Sequence, residues 1–133
     1  MRVAIDVQAI QGWSSRGRGI GRYIVDFVDA LIERDDLDLT LLTNPRRPMT
    51  AEVLEMAMRA RVKSIADDDW SRDLDWYIIS SPFEFDLSID DLWPPQVRGR
   101  VRTAAIAFDL IPLRYSEQYL SNTHHAVTYM TRL

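Results

Sequence analysis

The sequence predicts an α/β domain of the Rossmann-like kind, in which a mostly parallel sheet forms the middle of three α/β/α layers. Short apolar runs alternate with amphipathic segments along the chain, which is typical of repeated strand–helix units. The first apolar run leads through Gly17, Gly19 and Gly21 into a helical pattern, as in nucleotide-binding βα units. A chain of 133 residues can bury one core, so we expect residues 1–133 to form a single domain.

The first part of the chain predicts two strands separated by a helix. Residues 2–7 form an apolar strand, and residues 8–18 are expected to be a long loop of the kind that often carries function. Residues 20–33 form a helix, and residues 37–43 form the second strand. Apolar side chains recur at helical spacing in the helix: Ile20, Tyr23, Ile24, Phe27, Val28 and Leu31.

A second helix is expected over about residues 51–61, with Thr50 as its N-cap. Residues 62–66 read as a short strand, and the polar stretch 67–73 reads as a loop. The side chains of the helix that we expect to face inward are Val53, Leu54, Ala57 and Met58.

Two further strands are predicted at residues 75–80 and 102–108, with an irregular segment at 86–99 between them. Glu84 and Asp109 follow these strands. Ligands of open α/β sheets bind beyond the carboxyl ends of the strands, so both carboxylates are candidate ligand contacts. The alternative for each is a structural role as a loop or helix cap.

Polar and aromatic side chains around the first βα connection are further candidates. Asp6 lies near the end of the first strand, where it could meet a ligand or order the following loop. Trp13 could be a lid or an acceptor contact, or it could anchor the loop on the core. Arg16 and Arg18, beside a helix N-terminus, could hold a phosphate or be solvated surface charge.

Gly19 and Gly21 would let backbone N–H groups approach an anion at the positive end of the helix, although they could also simply shape the turn. A dinucleotide site is disfavoured. Asp35, Asp36 and Asp38 precede the second strand, whereas the ribose-binding acid of that fold follows it.

Composition excludes several classes of protein. The net charge of −4 argues against nucleic-acid binding, and the absence of cysteine excludes disulfides and thiolate metal sites. Lys63 is the only lysine, which excludes a phosphate-binding GK[ST] loop and the late-strand lysine of phospho-receiver domains. His124 and His125 point about 100° apart on a helix, so we expect surface histidines and no metal.

The end of the chain predicts two helical segments. Ser116 and Glu117 open a short one, and Asn122 caps another that is still apolar-periodic where the sequence stops at Leu133. We therefore expect the chain to be a truncated part of a longer protein.

Several segments, taken in order, resemble the N-terminal domain of family 4 glycosyltransferases of the GT-B fold. They are R-V-A-I-D-V-Q-A at 2–9 with Gln11, R-G-I-G-R-Y at 18–23, S-S-P-F-E at 80–84, and F-D-L-I-P-L-R-Y at 108–115 with Glu117. Phe108 stands where many relatives have histidine, so an acid–base role at this position is lost. Ser116 stands where relatives usually have proline.

The resemblance implies a two-domain enzyme that transfers a sugar from a nucleotide-sugar to a hydroxyl of a saccharide or lipid-linked acceptor, with retention of configuration. The N-terminal half would bind the acceptor. The C-terminal half, which would bind the nucleotide-sugar, is missing, so the chain alone is expected to be inactive. No cofactor is implied beyond the nucleotide-sugar as co-substrate.

The resemblance also assigns roles to single residues. Gly19 and Gly21 would lie at the donor diphosphate, with Arg18 and Arg22 as helpers. Asp109 and Glu84 would bind the acceptor hydroxyls, and Trp13 would be a further acceptor contact. No catalytic residue is assigned.

Two alternatives stay open at the sequence level. The domain could be a non-catalytic binding or assembly module, since this fold alone does not define a function.

No signal peptide or membrane span is visible, so we expect a cytoplasmic protein that could dock on the inner membrane face. The arginines that could assist docking, or be ordinary surface charge, are Arg46, Arg47, Arg98, Arg100 and Arg102.

Overall fold

Five parallel strands form a single sheet in the computed structural model, which describes residues 1–108 and 110–133. The strands are β1 (Arg2–Asp6), β2 (Asp38–Thr43), β3 (Arg61–Ser64), β4 (Trp76–Ile79) and β5 (Arg102–Ala105). Their spatial order is β3-β2-β1-β4-β5, and every neighbouring pair is parallel. This is the strand order of a Rossmann-like fold, so the predicted fold class is confirmed.

The described residues also contain eight helical segments. They are α1 (Gln8–Gln11), α2 (Trp13–Arg16), α3 (Gly19–Ile32), α4 (Ala51–Ala57), α5 (Ile89–Leu92), α6 (Ile111–Arg114), α7 (Ser116–Tyr119) and α8 (Thr123–Arg132). The longest is α3, with 14 residues. Within the described part of the chain, no helix combines the length and apolarity needed to cross a bilayer.

One face of the sheet packs against α1, α3 and α4. The predicted apolar face of α3 provides Ile24 and Val28, which are fully buried, while Tyr23 is 42% exposed near the carboxyl edge of the sheet. Burying one such aliphatic side chain stabilises the fold by about 1.5–3 kcal/mol. The buried core on this side consists of Val3, Ile5, Val7, Ala9, Ile10, Ile24, Val28, Leu39, Leu41, Val53 and Met56.

The other face is covered by segments 65–74 and 80–101, whose only helical element is the four-residue α5. Hydrogen bonds fix this irregular layer: Tyr77 donates its hydroxyl proton to the carbonyl of Leu92, 2.7 Å away. The core on this side consists of Ala4, Leu42, Ile65, Trp70, Tyr77, Ile79, Leu87, Leu92 and Val97. The second layer is therefore mostly loop, held by packing and by side-chain bonds.

The prediction of a loop at residues 8–18 is wrong, because this segment forms α1 and α2. Gln8 and Gln11 are buried there. Gln8 Oε1 accepts a hydrogen bond from Asn44 Nδ2 at 2.8 Å, and Gln11 Oε1 accepts one from the Asn44 N–H at 2.7 Å. Bonds to a distant strand end fix α1, so local periodicity did not reveal this helix.

Helix α4 begins after the predicted cap, since Thr50 Oγ1 accepts a hydrogen bond from the Val53 N–H. The helix ends at Ala57, and only Val53 and Met56 are buried. The face of α4 that packs on the sheet thus consists of two side chains, Val53 and Met56, spaced three residues apart. The predicted inward orientation is wrong for three exposed residues: Leu54, Ala57 and Met58.

The last third of the chain differs from the prediction in two places. The segment predicted as irregular contains α5, where Ser88 and Asp91 form a reciprocal capping box. Strand β5 ends at Ala105 rather than at Phe108. Asp109, expected at the tip of this strand, lies outside the described residues. The cap by Asn122 is confirmed, because its Oδ1 accepts the His124 N–H at 2.8 Å.

Candidate functional site

A cleft of about 800 Å³ opens at the carboxyl edge of the sheet, next to the N-terminus of α3. The strand order reverses between β1 and β4, and ligands of open α/β folds bind near that reversal. We call this space the carboxyl-edge cleft. It is lined by residues 13–15, 18–20 and 81–86 with Ile106, Phe108, Pro112, Gln118, Tyr119, His125 and Tyr129.

Exposed aromatic rings surround the mouth of the cleft. Trp13 is 95% exposed, which excludes the alternative that it anchors the loop on the core. Phe108 is 44% exposed and Tyr119 is 52% exposed. The Phe108 ring centroid lies 5.5 Å from that of Tyr23, so the Phe108 ring packs against a side chain of α3. These flat surfaces are available to a ligand.

Two stacked ring pairs form another wall. Phe83 stacks on Tyr129, and Phe85 stacks on His125, each with ring centroids 4.3 Å apart. Stacking joins the segment after β4 to α8. The expectation of surface histidines holds for His124, whereas His125 is half-buried against Phe85.

Glu84 forms part of the floor and is 4% exposed. Its Oε1 accepts hydrogen bonds from Ser15 Oγ at 2.5 Å and from Ser81 Oγ at 2.9 Å. Burial raises the pKa of Glu84, and the two serine bonds oppose that rise. Oε2 is buried without a hydrogen-bond partner among the described residues. Through these hydrogen bonds Glu84 therefore links the wall that contains Ser15 to the wall that contains Ser81.

Arg47 approaches Glu84 from the loop after β2. Its Nη1 lies 4.0 Å from Glu84 Oε2 and donates a hydrogen bond to the carbonyl of Gln8 at 2.6 Å. Gly12 makes room for it, because a Cβ at this position would lie 2.9 Å from Arg47 Nη1 and 3.2 Å from Glu84 Oε2. Only 10% of the Arg47 side chain is exposed, so this arginine is not available to a membrane surface.

Among the described residues that line the cleft, the accessible carboxylate is Asp86, whose side chain is 63% exposed and is held by a salt bridge to Arg47. Sequence reasoning identified neither Asp86 nor Arg47 as a site residue. Their contact joins segments far apart in the chain, and no local motif signals it. The only usable clue was the position of Asp86 close to the end of a predicted strand.

Asp6 lies at the end of β1 and is fully buried. Its Oδ1 accepts the N–H of Gln8 at 2.9 Å, as expected for a residue that orders the following segment. Oδ2 is buried without a hydrogen-bond partner among the described residues. Burial raises the pKa of Asp6 to about 7, with bonds from Gln8 opposing the rise and Glu84 adding to it. Below about pH 7 the buried Asp6 carboxyl is therefore mostly protonated in the folded protein.

The predicted diphosphate-binding residues separate into two groups. Arg18 and Gly19 line the cleft, and a Cβ at Gly19 would make only ordinary contact with Phe108, at 3.6 Å. Gly21 is buried, and Arg22 is exposed without lining the cleft. Packing is sufficient to require the absence of a side chain at Gly21.

That packing lies at the junction of α2 and α3. A Cβ on Gly21 would lie 2.5 Å from the carbonyl oxygen of Ser15 and 2.6 Å from that of Arg16. Arg16 itself does not point to a phosphate site, because its Nε donates to Glu52 Oε1 at 3.1 Å.

No group of three or more potential metal ligands occurs among residues 1–108 and 110–133. Comparisons with protein-family models, curated proteins and solved structures gave no match to this chain. The functional proposal therefore depends on the geometry of the carboxyl-edge cleft and on the sequence resemblance.

Proposed function

We propose that this chain is the acceptor-binding domain of a glycosyltransferase of GT-B architecture, which transfers a sugar from a nucleotide-sugar to a saccharide or lipid-linked hydroxyl. One observation carries the proposal: an open, aromatic cleft with a carboxylate at the carboxyl edge of a Rossmann-like sheet. Sugars offer apolar ring faces that stack on aromatic side chains and hydroxyl groups that donate to carboxylates. Trp13, Phe108 and Asp86 provide these two kinds of contact.

Each part of the cleft then has a defined task. Trp13 and Phe108 hold the faces of the acceptor, and Asp86 accepts hydrogen bonds from its hydroxyls. Glu84 acts as a positioning residue, because it fixes Ser15 and Ser81 on opposite walls. The amide of Gly19, in the first turn of α3, faces the donor diphosphate. Nothing in this set deprotonates the acceptor, so turnover requires groups from a nucleotide-sugar domain.

Trp13→Ala is expected to weaken saccharide binding about tenfold, equivalent to roughly 1.4 kcal/mol. Truncation removes one stacking face while leaving the fold intact, because the side chain is 95% exposed. The measurement is a titration with methyl glycosides and disaccharides, followed by NMR shifts of residues 81–86. Met58→Ala, which removes an 81% exposed apolar side chain outside the cleft, is the matched control.

Comparison of the Trp13 and Met58 variants distinguishes specific saccharide binding in the cleft from nonspecific binding to exposed apolar side chains. Equal affinity in the Trp13 and Met58 variants, or no saturable binding in the parent protein, would contradict the assignment of the cleft to an acceptor.

A transfer assay tests the enzymatic part of the proposal. The polypeptide encoded by the whole reading frame is incubated with nucleotide-sugars and acceptor, and release of nucleotide is measured. Release that requires acceptor supports a transferase, with Trp13→Ala raising the KM for acceptor far more than the KM for donor. Absence of acceptor-dependent release with every common nucleotide-sugar would favour a non-catalytic module.

The non-catalytic alternative has its own structural support. Apolar side chains along α6 and α8 remain exposed, including Ile111 at 46%, Val127 at 58% and Met130 at 57%. Exposed apolar side chains are one feature of interaction surfaces. A binding or assembly domain would use these side chains, and its cleft would not respond to sugars.

A further inference from the structure

A second cavity, of about 360 Å³, lies at the opposite edge of the sheet from the cleft. It is found where β1, β2 and β3 begin, under the loop that precedes β4. We call it the amino-edge pocket. The charged side chains that line it are Arg2, Asp38, Arg61, Lys63, Asp69 and Arg72.

The strands place polar side chains on one face at this edge. Arg2 is aligned with Asp38, and Thr40 is aligned with Arg61, so alternate residues of three strands point into the same space. Lys63 follows two residues after Arg61 on that face. Strands of parallel sheets are usually apolar on both faces, because both are covered. Here, the amino half of one face is instead built for charged groups and water.

The pocket is positively charged although the whole chain has a net charge of −4. Its lining contains four cationic and two acidic side chains, an excess of two positive charges. A third acid, Asp73, lies outside the lining and pairs with Arg2 at 3.1 Å. The cations of the lining thus outnumber its acids, and Asp73 offsets part of this excess from outside the lining.

Internal salt bridges leave one guanidinium available. Asp38 is shared by Arg2 at 3.8 Å and Arg61 at 3.3 Å, and Lys63 binds Asp69 at 2.7 Å. Arg72 makes no hydrogen bond or salt bridge with any residue of the described ranges. Its charge still acts on Asp69. Cations from three segments (β1, β3 and the loop before β4) thus face the pocket, and Asp38 and Asp69 offset only part of their charge.

We propose that the amino-edge pocket binds a phosphoryl group. A phosphate monoester is a dianion near neutral pH, so its charge is opposite in sign to the net charge of the lining. Arginine presents a planar fork of donors that binds phosphate oxygens in pairs, and lysine adds a point charge. Trp70 and Leu74 form an apolar part of the wall, which suits the carbon skeleton of an ester. A soluble phosphate ester and a phosphatidate headgroup share this chemistry.

Binding is measured by isothermal titration at a constant ionic strength of about 0.15 M, because exposed charges respond to salt. The probes are inorganic phosphate, glycerol phosphate, and phosphatidylcholine vesicles with and without phosphatidate. Arg72→Gln is expected to raise the dissociation constant about tenfold. The control is Arg34→Gln, which removes the same charge from an exposed arginine that binds Asp36 outside the pocket.

The probes distinguish the sources of the phosphoryl group. Saturable binding of glycerol phosphate that Arg72→Gln weakens supports a soluble ligand, and binding confined to phosphatidate vesicles with the same sensitivity supports a lipid headgroup. Failure of all probes to bind, or equal effects of the Arg72 and Arg34 variants, would overturn the proposal. Because the saccharide titration reports on the opposite edge of the sheet, the two proposals succeed or fail independently.

Discussion

Replacing Asp6 by asparagine is expected to raise the free energy of unfolding at pH 8 by about 4 kcal/mol. Folding buries the Asp6 carboxyl completely, and burial raises its pKa from 3.8 to about 7. Between these values the folded protein holds a proton that the unfolded chain has released. Asp6 therefore contributes stability that is fully present below about pH 4 and is lost as the pH rises through 7. Asparagine keeps the acceptor for the Gln8 N–H and removes the charge.

Urea unfolding at several pH values between 4 and 8 measures this effect. The parent protein should lose stability as the pH rises, the Asp6→Asn variant should show a flatter profile, and the two should converge near pH 4. Asp35→Asn provides the control, because it removes a carboxylate from an exposed turn. Its effect should stay within about 0.5 kcal/mol. Parallel profiles for the parent and the Asp6 variant would show that Asp6 is not a buried, destabilising charge.

Gly21→Ala is expected to destabilise the protein by about 2–3 kcal/mol, although alanine normally favours a helix. The added Cβ would lie 2.5 and 2.6 Å from two backbone carbonyl oxygens of α2, and neither atom can move without displacing that helix. Thermal and urea unfolding measure the loss. A stability equal to that of the parent would mean that the junction of α2 and α3 is loose.

Gly17→Ala serves as the matched control, because no atom lies within 4 Å of the added Cβ and Gly17 has a right-handed backbone conformation. This change should leave stability unchanged or raise it by about 0.5–1 kcal/mol, since alanine restricts the unfolded chain. Stability changes of opposite sign for Gly21→Ala and Gly17→Ala would distinguish a glycine needed for packing from one that merely occupies a turn. Loss of nucleotide-sugar binding in a Gly21 variant would consequently say little about diphosphate contacts.

The sequence was sufficient for the framework of the fold. Period-two and period-3.6 apolar patterns belong to single elements, so β1 and α3 could be predicted from their own residues. The placement of Glu84 beyond a strand end followed from the same pattern, because parallel strands end at a common edge.

Contacts between distant segments account for what could not be predicted. Helix α1 depends on hydrogen bonds between its two glutamines, Gln8 and Gln11, and Asn44 after β2. These bonds produce no hydrophobic periodicity in the four residues of the helix. The salt bridges of Arg47 to Glu84 and Asp86 have the same origin, which is why the arginine was expected at the surface. The irregular layer over the second face likewise depends on tertiary packing rather than on local propensity.

The mutual contact of Gly12, Arg47 and Glu84 has an evolutionary consequence. A side chain at position 12 would occupy the space through which the guanidinium reaches the carboxylate. These three positions should therefore change together among descendants of a common ancestor. Homologues with a larger residue at position 12 should also have a shorter side chain at position 47 or an uncharged one at position 84. Homologues that retain glycine at position 12 should keep the Arg47–Glu84 ion pair.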